Sequence, residues 1–275
     1  VIVGLPGATL LGRYRVIRPI ARGAVATVYL AFDLHGTPYA LKVFPKGFET
    51  RADREWKIGG VLQHPHINPV YQRLDLEEQS AGKEGGPAVL IAYAPGERFN
   101  DWRSRRPDLV LRVFEQLLEG LAHMHQQGYV HRDIKPENLV VDGTGQARLV
   151  DFDLAGPVGE RLPRQFLVGT PAYMAPELFL GQITSPASDV YAAGILLYWS
   201  LANELPFFGS TEEVMEAHLK QAVPPPIPTL DTRLELTPAL LGFIYTMLAK
   251  DPAERFKSGQ EALEAFRELG TGRSR

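Results

Sequence analysis

Apolar positions in the first hundred residues alternate with polar ones over short runs, the period of a strand with one buried face. Tyr14-Arg15-Val16-Ile17, Thr27-Val28-Tyr29-Leu30-Ala31 and Tyr39-Ala40-Leu41-Lys42-Val43 carry this pattern, the last after a turn at His35-Gly36-Thr37-Pro38. It predicts an antiparallel meander, with further strands near 68–74 and 88–93 and a surface loop over 77–87. One helix, at 51–62, interrupts it. From Leu109 the period becomes 3.6: Leu109, Val113, Gln116, Leu117, Gly120, Leu121 and Met124 fall on one helical face that ends near Gly128. Helices are predicted at 188–202, 211–221, 238–249 and 258–269. Pro224-Pro225-Pro226 and Pro228 read as a stiff extended connector between two of them. The chain is therefore α+β in order: a small β-rich part with one helix, then a larger, mainly helical part.

Composition narrows the reading by exclusion. The 275 residues include 29 Lys and Arg against 32 Asp and Glu, a formal net charge of −3. That balance gives no overall field toward nucleic acid or anionic lipid. There is no cysteine, so disulfides and thiolate metal sites are excluded, and a reducing, cytoplasmic setting is the simpler expectation. His64 and His66, like His123 and His125, lie two residues apart, a spacing that on a helix points side chains away from each other rather than at a shared metal. The longest apolar run, Val190 to Ala202, is bounded by Asp189 and Glu204 and falls short of the roughly 20 residues that span a bilayer. The chain begins at Val1 and ends in Thr271-Gly272-Arg273-Ser274-Arg275, which reads as a domain taken from a longer protein.

The densest chemistry lies in His131-Arg132-Asp133-Ile134-Lys135-Pro136-Glu137-Asn138, followed by Leu149-Val150-Asp151-Phe152. Phosphoryl transfer needs a carboxylate to orient and deprotonate the attacking hydroxyl, a cation near the moving charge, and oxygen ligands for a divalent ion. Asp133 suits the base, Lys135 the cation, and Asn138 with Asp151 the metal ligands.

On these segments the chain resembles a eukaryotic-like Ser/Thr protein kinase catalytic domain of the bacterial type, with matching motifs from Gly23 to Arg255. The resemblance implies a bilobal protein-kinase fold, with residues 1–93 as a nucleotide-binding lobe, 94–270 as a helical lobe with catalytic loop and activation segment, and 271–275 as a tail. It implies ATP with Mg²⁺, or Mn²⁺ in its place, as the donor, and a protein Ser or Thr hydroxyl as the acceptor. Lys42 is then the phosphate-binding lysine, paired with Glu55 on the regulatory helix. Ile20 and Gly23 belong to the nucleotide loop. Val28, Ala40 and Leu139 would sandwich the purine, Ile91 would be the gatekeeper, and backbone groups of Ala92 and Ala94 would meet the purine edge. Gly169 to Glu177 is similar to the substrate-facing loop, with Thr170 and Lys135 in the Ser/Thr pattern. Glu177 would pair with Arg255, and Asp189 would bind backbone around His131 and Arg132. Any membrane tether would lie in the parent sequence.

The chain also departs from the family pattern. Gly23 is the one glycine kept in the loop Ala21-Arg22-Gly23-Ala24-Val25-Ala26, and Asp151-Phe152-Asp153 stands where the family has Asp-Phe-Gly. Asp tolerates left-handed backbone, so the turn at Asp153 is expected to survive, with a second carboxylate beside the metal ligand. These departures raise the alternative of a pseudokinase, a scaffold that binds nucleotide weakly or not at all. Gly59 and Gly60 follow Glu55 by one turn and each costs helix stability of about 1 kcal/mol. The weakness suggests that a dimer contact or regulatory partner orders this helix. Phe152 to Val168 contains no Ser, Thr or Tyr, so activity is expected not to depend on phosphorylation there.

Overall fold

The computed structural model describes residues 6–23, 25–76, 86–161, 171–228 and 236–270. They fall into two compact units that are not continuous in sequence. The first takes Val1–Gln63, Ile67–Pro95 and Asp151–Leu154, and the second His64–His66, Gly96–Val150 and Ala155–Arg275.

The first unit is built on strands β1 (Thr9–Leu10), β2 (Tyr14–Arg22), β3 (Thr27–Phe32), β4 (Pro38–Val43), β5 (Val70–Leu76) and β6 (Gly86–Ala92). They form one antiparallel sheet in the order β1-β2-β3-β4-β6-β5. The period of two sorts its residues. Tyr14 and Val16, Tyr29 and Ala31, Leu41 and Val43, Leu74 and Leu76, and Ala88 and Leu90 make one buried apolar cluster. The alternate positions face the other way, and cross-strand pairing places Val28 opposite Lys42, Lys42 opposite Val89, and Ala40 opposite Ile91. The strand alternation thus puts one charged residue, Lys42, into a row of apolar ones.

Helix α1 (Glu49–Gly59) starts earlier and ends sooner than the pattern predicted. Its closing glycine has a packing reason: a Cβ on Gly59 would overlap Val70 Cγ2 and crowd Phe152. The missing side chain lets β5 approach the helix. Strand β6 includes Gly86 and Pro87, which the pattern assigned to a loop; the rest of that loop, 77–85, lies outside the described residues, as does the tail 271–275.

The second unit carries α2 (Phe99–Arg103), α3 (Val110–Gln126), α4 (Pro176–Phe179), α5 (Pro186–Ala202), α6 (Thr211–Lys220), α7 (Pro238–Met247) and α8 (Gly259–Glu268), with short strands β7 (Glu97–Arg98), β8 (Tyr129–Val130), β9 (Leu139–Val141), β10 (Ala147–Leu149) and β11 (Gly156–Pro157). The buried central helix α5 opens on a capping box between Ser185 and Ser188, in which the Ser185 N–H donates to Ser188 Oγ at 3.3 Å. Phe114, Phe243 and Phe266 pack edge to face or tilted between α3, α7 and α8, with ring centroids 5.3–6.4 Å apart. Gly259 brings the start of α8 against α3, where a Cβ would press on the Ala122 and Leu121 backbone. No helix among the described residues is long and apolar enough to cross a membrane.

Candidate active site

Within the first unit, Lys42 gathers three carboxylates. Its Nζ lies 2.6 Å from Glu55 Oε2, 2.5 Å from Asp151 Oδ1 and 3.6 Å from Asp153 Oδ2. Glu55 is fully buried, and its other oxygen accepts the Phe152 N–H at 3.2 Å. Helix α1 therefore holds both the lysine and the backbone that presents Asp151. Burial alone would push the ammonium down, but Asp151, Glu55 and Asp153 together hold Lys42 well above its ordinary value. Burial likewise pushes Glu55 above the carboxylate range, opposed by Lys42.

Asp151 is the most open of the three acids, with 35% of its side chain exposed against 9% for Asp153. Asp151 also carries the left-handed backbone, φ 69°. The expectation that Asp153 would take that conformation is corrected here: the turn is made at Asp151. The Asp153 carboxylate is instead turned inward, 3.4 Å from Arg51 Nη1, and burial pushes it up to about 8 against the pull of Lys42. Arg51 sits four residues before Glu55, one turn along the same face of α1. The two residues grip 151–153 from one helix, through a link that sequence reading did not find.

The remaining residues expected around the nucleotide in this unit are Ile20, Gly23, Val28, Ala40, Ile91, Ala92 and Ala94. Ile20 and Val28 are half-buried, and Ala40 and Ile91 are buried on the Lys42 face. Gly23 N–H donates to Ala26 O at 2.8 Å. The Ala92 N–H is spent on Pro69 O at 2.9 Å, while its carbonyl accepts from Asn68 Nδ2 at 3.0 Å and keeps a second lone pair. Asn68 carries no motif signal, and its role in fixing the end of β6 was not legible.

The second unit holds a second cluster. Lys135 Nζ lies 2.8 and 3.0 Å from the two oxygens of Asp133. Asn138 Nδ2 donates to the Asp133 carbonyl and to Asp133 Oδ2, both at 2.9 Å. That use of Nδ2 leaves Oδ1, the one atom of the amide able to ligate a cation. Leu139, the expected floor of the purine site, is buried at the start of β9. Val150, whose N–H donates to Asn138 O at 2.9 Å, immediately precedes Asp151 in the chain.

Asp189 organises the loop before Asp133. Its Oδ2 accepts the His131 N–H at 2.7 Å and its Oδ1 the Arg132 N–H at 2.8 Å. His125 was absent from the sequence-based set, yet its Nε2 donates to Asp189 Oδ2 at 3.0 Å while its Nδ1 accepts the Gly259 N–H at 2.9 Å, which fixes the tautomer. Burial would raise Asp189, but the bonds from His125 and the backbone hold it below the ordinary carboxylate range. Glu177 and Arg255 form the expected buried pair, bidentate at 2.8 and 2.9 Å. Thr170 lies outside the described residues.

Comparison with known proteins agrees with the geometry. A family model described as the protein kinase domain matches residues 14–266. Serine/threonine-protein kinase PknA of Mycobacterium tuberculosis is 35% identical over 282 residues, covering 97% of this chain and 63% of its own length. Serine/threonine-protein kinase pkn2 of Myxococcus xanthus is 31% identical, covering 93% of this chain and 32% of itself. For PrkC of Bacillus subtilis the identity is 28%, with 94% and 40% covered. The chain thus spans less than two thirds of the length of these relatives.

Proposed function

The chain belongs to the protein kinase domain family, as a bacterial-type Ser/Thr member with that family's α+β fold, and from this premise we propose that it transfers the γ-phosphoryl group of Mg-ATP to protein Ser and Thr hydroxyls. The observation that carries the proposal is Lys42 Nζ seated between Glu55 and Asp151. A lysine buried on a sheet face is costly unless a task and a partner hold it there.

Residues 1–93 handle nucleotide in this reading, and 94–270 supply catalysis and the acceptor site. Lys42 neutralises the α and β phosphates, and Glu55 keeps it aimed. Val28, Ala40, Ile91 and Leu139 enclose the purine beside Ile20 and Gly23, while Ala92 and Ala94 meet its edge. Asp133 accepts the proton of the attacking hydroxyl, held in place by Lys135 and Asn138. Lys135 faces the charge that develops as the phosphoryl group moves, and Thr170 is assigned to recognition of the acceptor hydroxyl. Family members use a divalent ion with ATP. The donor set here suits Mg²⁺, with Mn²⁺ as a substitute: the open carboxylate of Asp151 and Asn138 Oδ1 are hard oxygen ligands of the kind it takes. When bound, that ion neutralises phosphate charge. A cytoplasmic setting supplies the ATP, and the exposed side of α1 offers a place for a dimer contact or regulatory protein.

The test is transfer from γ-labelled ATP to a generic basic protein, with Asp133→Ala in parallel. Label that requires Asp133 and a divalent ion supports the reading. Metal-dependent nucleotide binding without transfer would replace it with a scaffold.

A further inference from the structure

Arg132, the residue before Asp133, is held by more than its neighbour needs for chain continuity. Its backbone is left-handed, φ 71°, a conformation that costs a non-glycine residue energy. Its side chain is 0% exposed. A guanidinium removed from water must be matched by acceptors and by opposite charge, or it returns to solvent and moves the backbone that carries it.

Pro157 at the end of β11, Glu160 just after it and Thr184 ahead of α5 supply that match. Arg132 Nη2 donates to Glu160 Oε2 at 2.9 Å, to Thr184 Oγ1 at 3.0 Å and to Pro157 O at 3.3 Å, and Nε reaches Thr184 Oγ1 at 3.3 Å. Glu160 is itself anchored, since its carbonyl accepts both the hydroxyl and the N–H of Thr184, at 2.8 and 2.9 Å. The Gly159 N–H donates to Thr184 O at 2.9 Å. Gly156 completes the seat, because a Cβ there would overlap the guanidinium.

We propose that Glu160 is a positioning residue for phosphoryl transfer: its carboxylate fixes Arg132, and Arg132 fixes the loop on which Asp133 meets Lys135 and Asn138. This rests on the kinase reading given above. The charge that steadies the catalytic loop is written into the chain as a carboxylate, in a stretch from Phe152 to Val168 that has no hydroxyl to modify. Glu160 is 36% exposed on its side chain, so replacing it leaves no large cavity.

The experiment compares wild type, Glu160→Gln, Glu160→Asp and Gly156→Ala in steady-state transfer to a basic protein and in amide hydrogen exchange. Glu160→Gln keeps the shape and an acceptor but removes the charge. It is expected to lower kcat at least about tenfold, the scale set by small misplacements of a catalytic group. KM for ATP stays within about twofold of wild type, exchange quickens in peptides covering 129–138, and peptides of α8 stay protected. Glu160→Asp should recover part of kcat, and Gly156→Ala should repeat the loss by displacing the guanidinium. Wild-type kcat together with wild-type exchange in Glu160→Gln overturns the proposal. Should the wild-type chain show no Asp133-dependent transfer, the kinase reading falls, and exchange at 129–138 alone decides the positioning.

Discussion

Lys42, Glu55, Asp151 and Asp153 form a compact charge problem, three acids around one buried lysine with Arg51 at the edge. Removing the lysine leaves Glu55 fully buried beside two other carboxylates, which is the expensive way to break a buried pair. Lys42→Met is therefore expected to lower unfolding free energy by about 3–5 kcal/mol in chemical denaturation. A loss under about 1 kcal/mol would show that the pair is exposed in solution. Lys42, Asp133, Lys135, Asn138 and Asp151 were legible in the sequence because each is polar within an otherwise apolar or tightly spaced segment. Arg51, Asn68, His125 and Glu160 were not. Each looks like an ordinary polar position locally, and each acts on a partner between 24 and 134 residues away.

Among elements, α1 shows how a local rule can be reversed by packing. Propensity alone says that Gly59→Ala should stabilise the helix by about 1 kcal/mol. A Cβ at that position overlaps Val70 Cγ2, and overpacking of a filled site costs about 1–3 kcal/mol. Net destabilisation is expected for Gly59→Ala, relieved by adding Val70→Ala, so that the double variant is more stable than the sum of its parts. Stabilisation by the single change would instead mean that the helix is free to move away from β5. The long helices were foreseen within a few residues, since each buries a full period of apolar positions, whereas β2 runs on to Arg22, past the predicted Tyr14–Ile17. Strands β1, β7, β8 and β11, with two residues apiece, and the short helix α2 carry too few positions to display any period. The same holds for Gly59, whose reason is a neighbour in β5 rather than its own helix.

For the whole molecule, stability toward acid has an identifiable contributor in a buried histidine. His218 on α6 is buried against Phe179, Tyr191 and Phe207, and its Nδ1 is hydrogen-bonded to the Tyr191 hydroxyl at 2.8 Å. Burial first, then Lys250, pushes it down to about 4, with the Ala172 carbonyl pulling the other way. The folded chain binds this proton less readily than the unfolded chain. Stability from this group is thus complete above the ordinary value of 6.5 and lost as pH falls toward 4, a change of roughly 3 kcal/mol. His218→Gln, which keeps a hydrogen-bonding partner for Tyr191, is expected to flatten the acid side of the stability profile; an unchanged profile would place the loss in the carboxylates.

If the proposed phosphoryl transfer holds, the Lys42 cluster and the Asp133 cluster serve one reaction and their losses are coupled. The most direct test is kcat/KM for γ-phosphoryl transfer in wild type, Lys42→Met, Asp133→Asn and the double variant, under conditions where all four are folded. Each single change is predicted to cost about 100-fold or more, with the double variant losing far less than the product of the two, as groups acting in one step do. Transfer at the wild-type rate by either single variant would mean that the residue changed takes no part in the reaction.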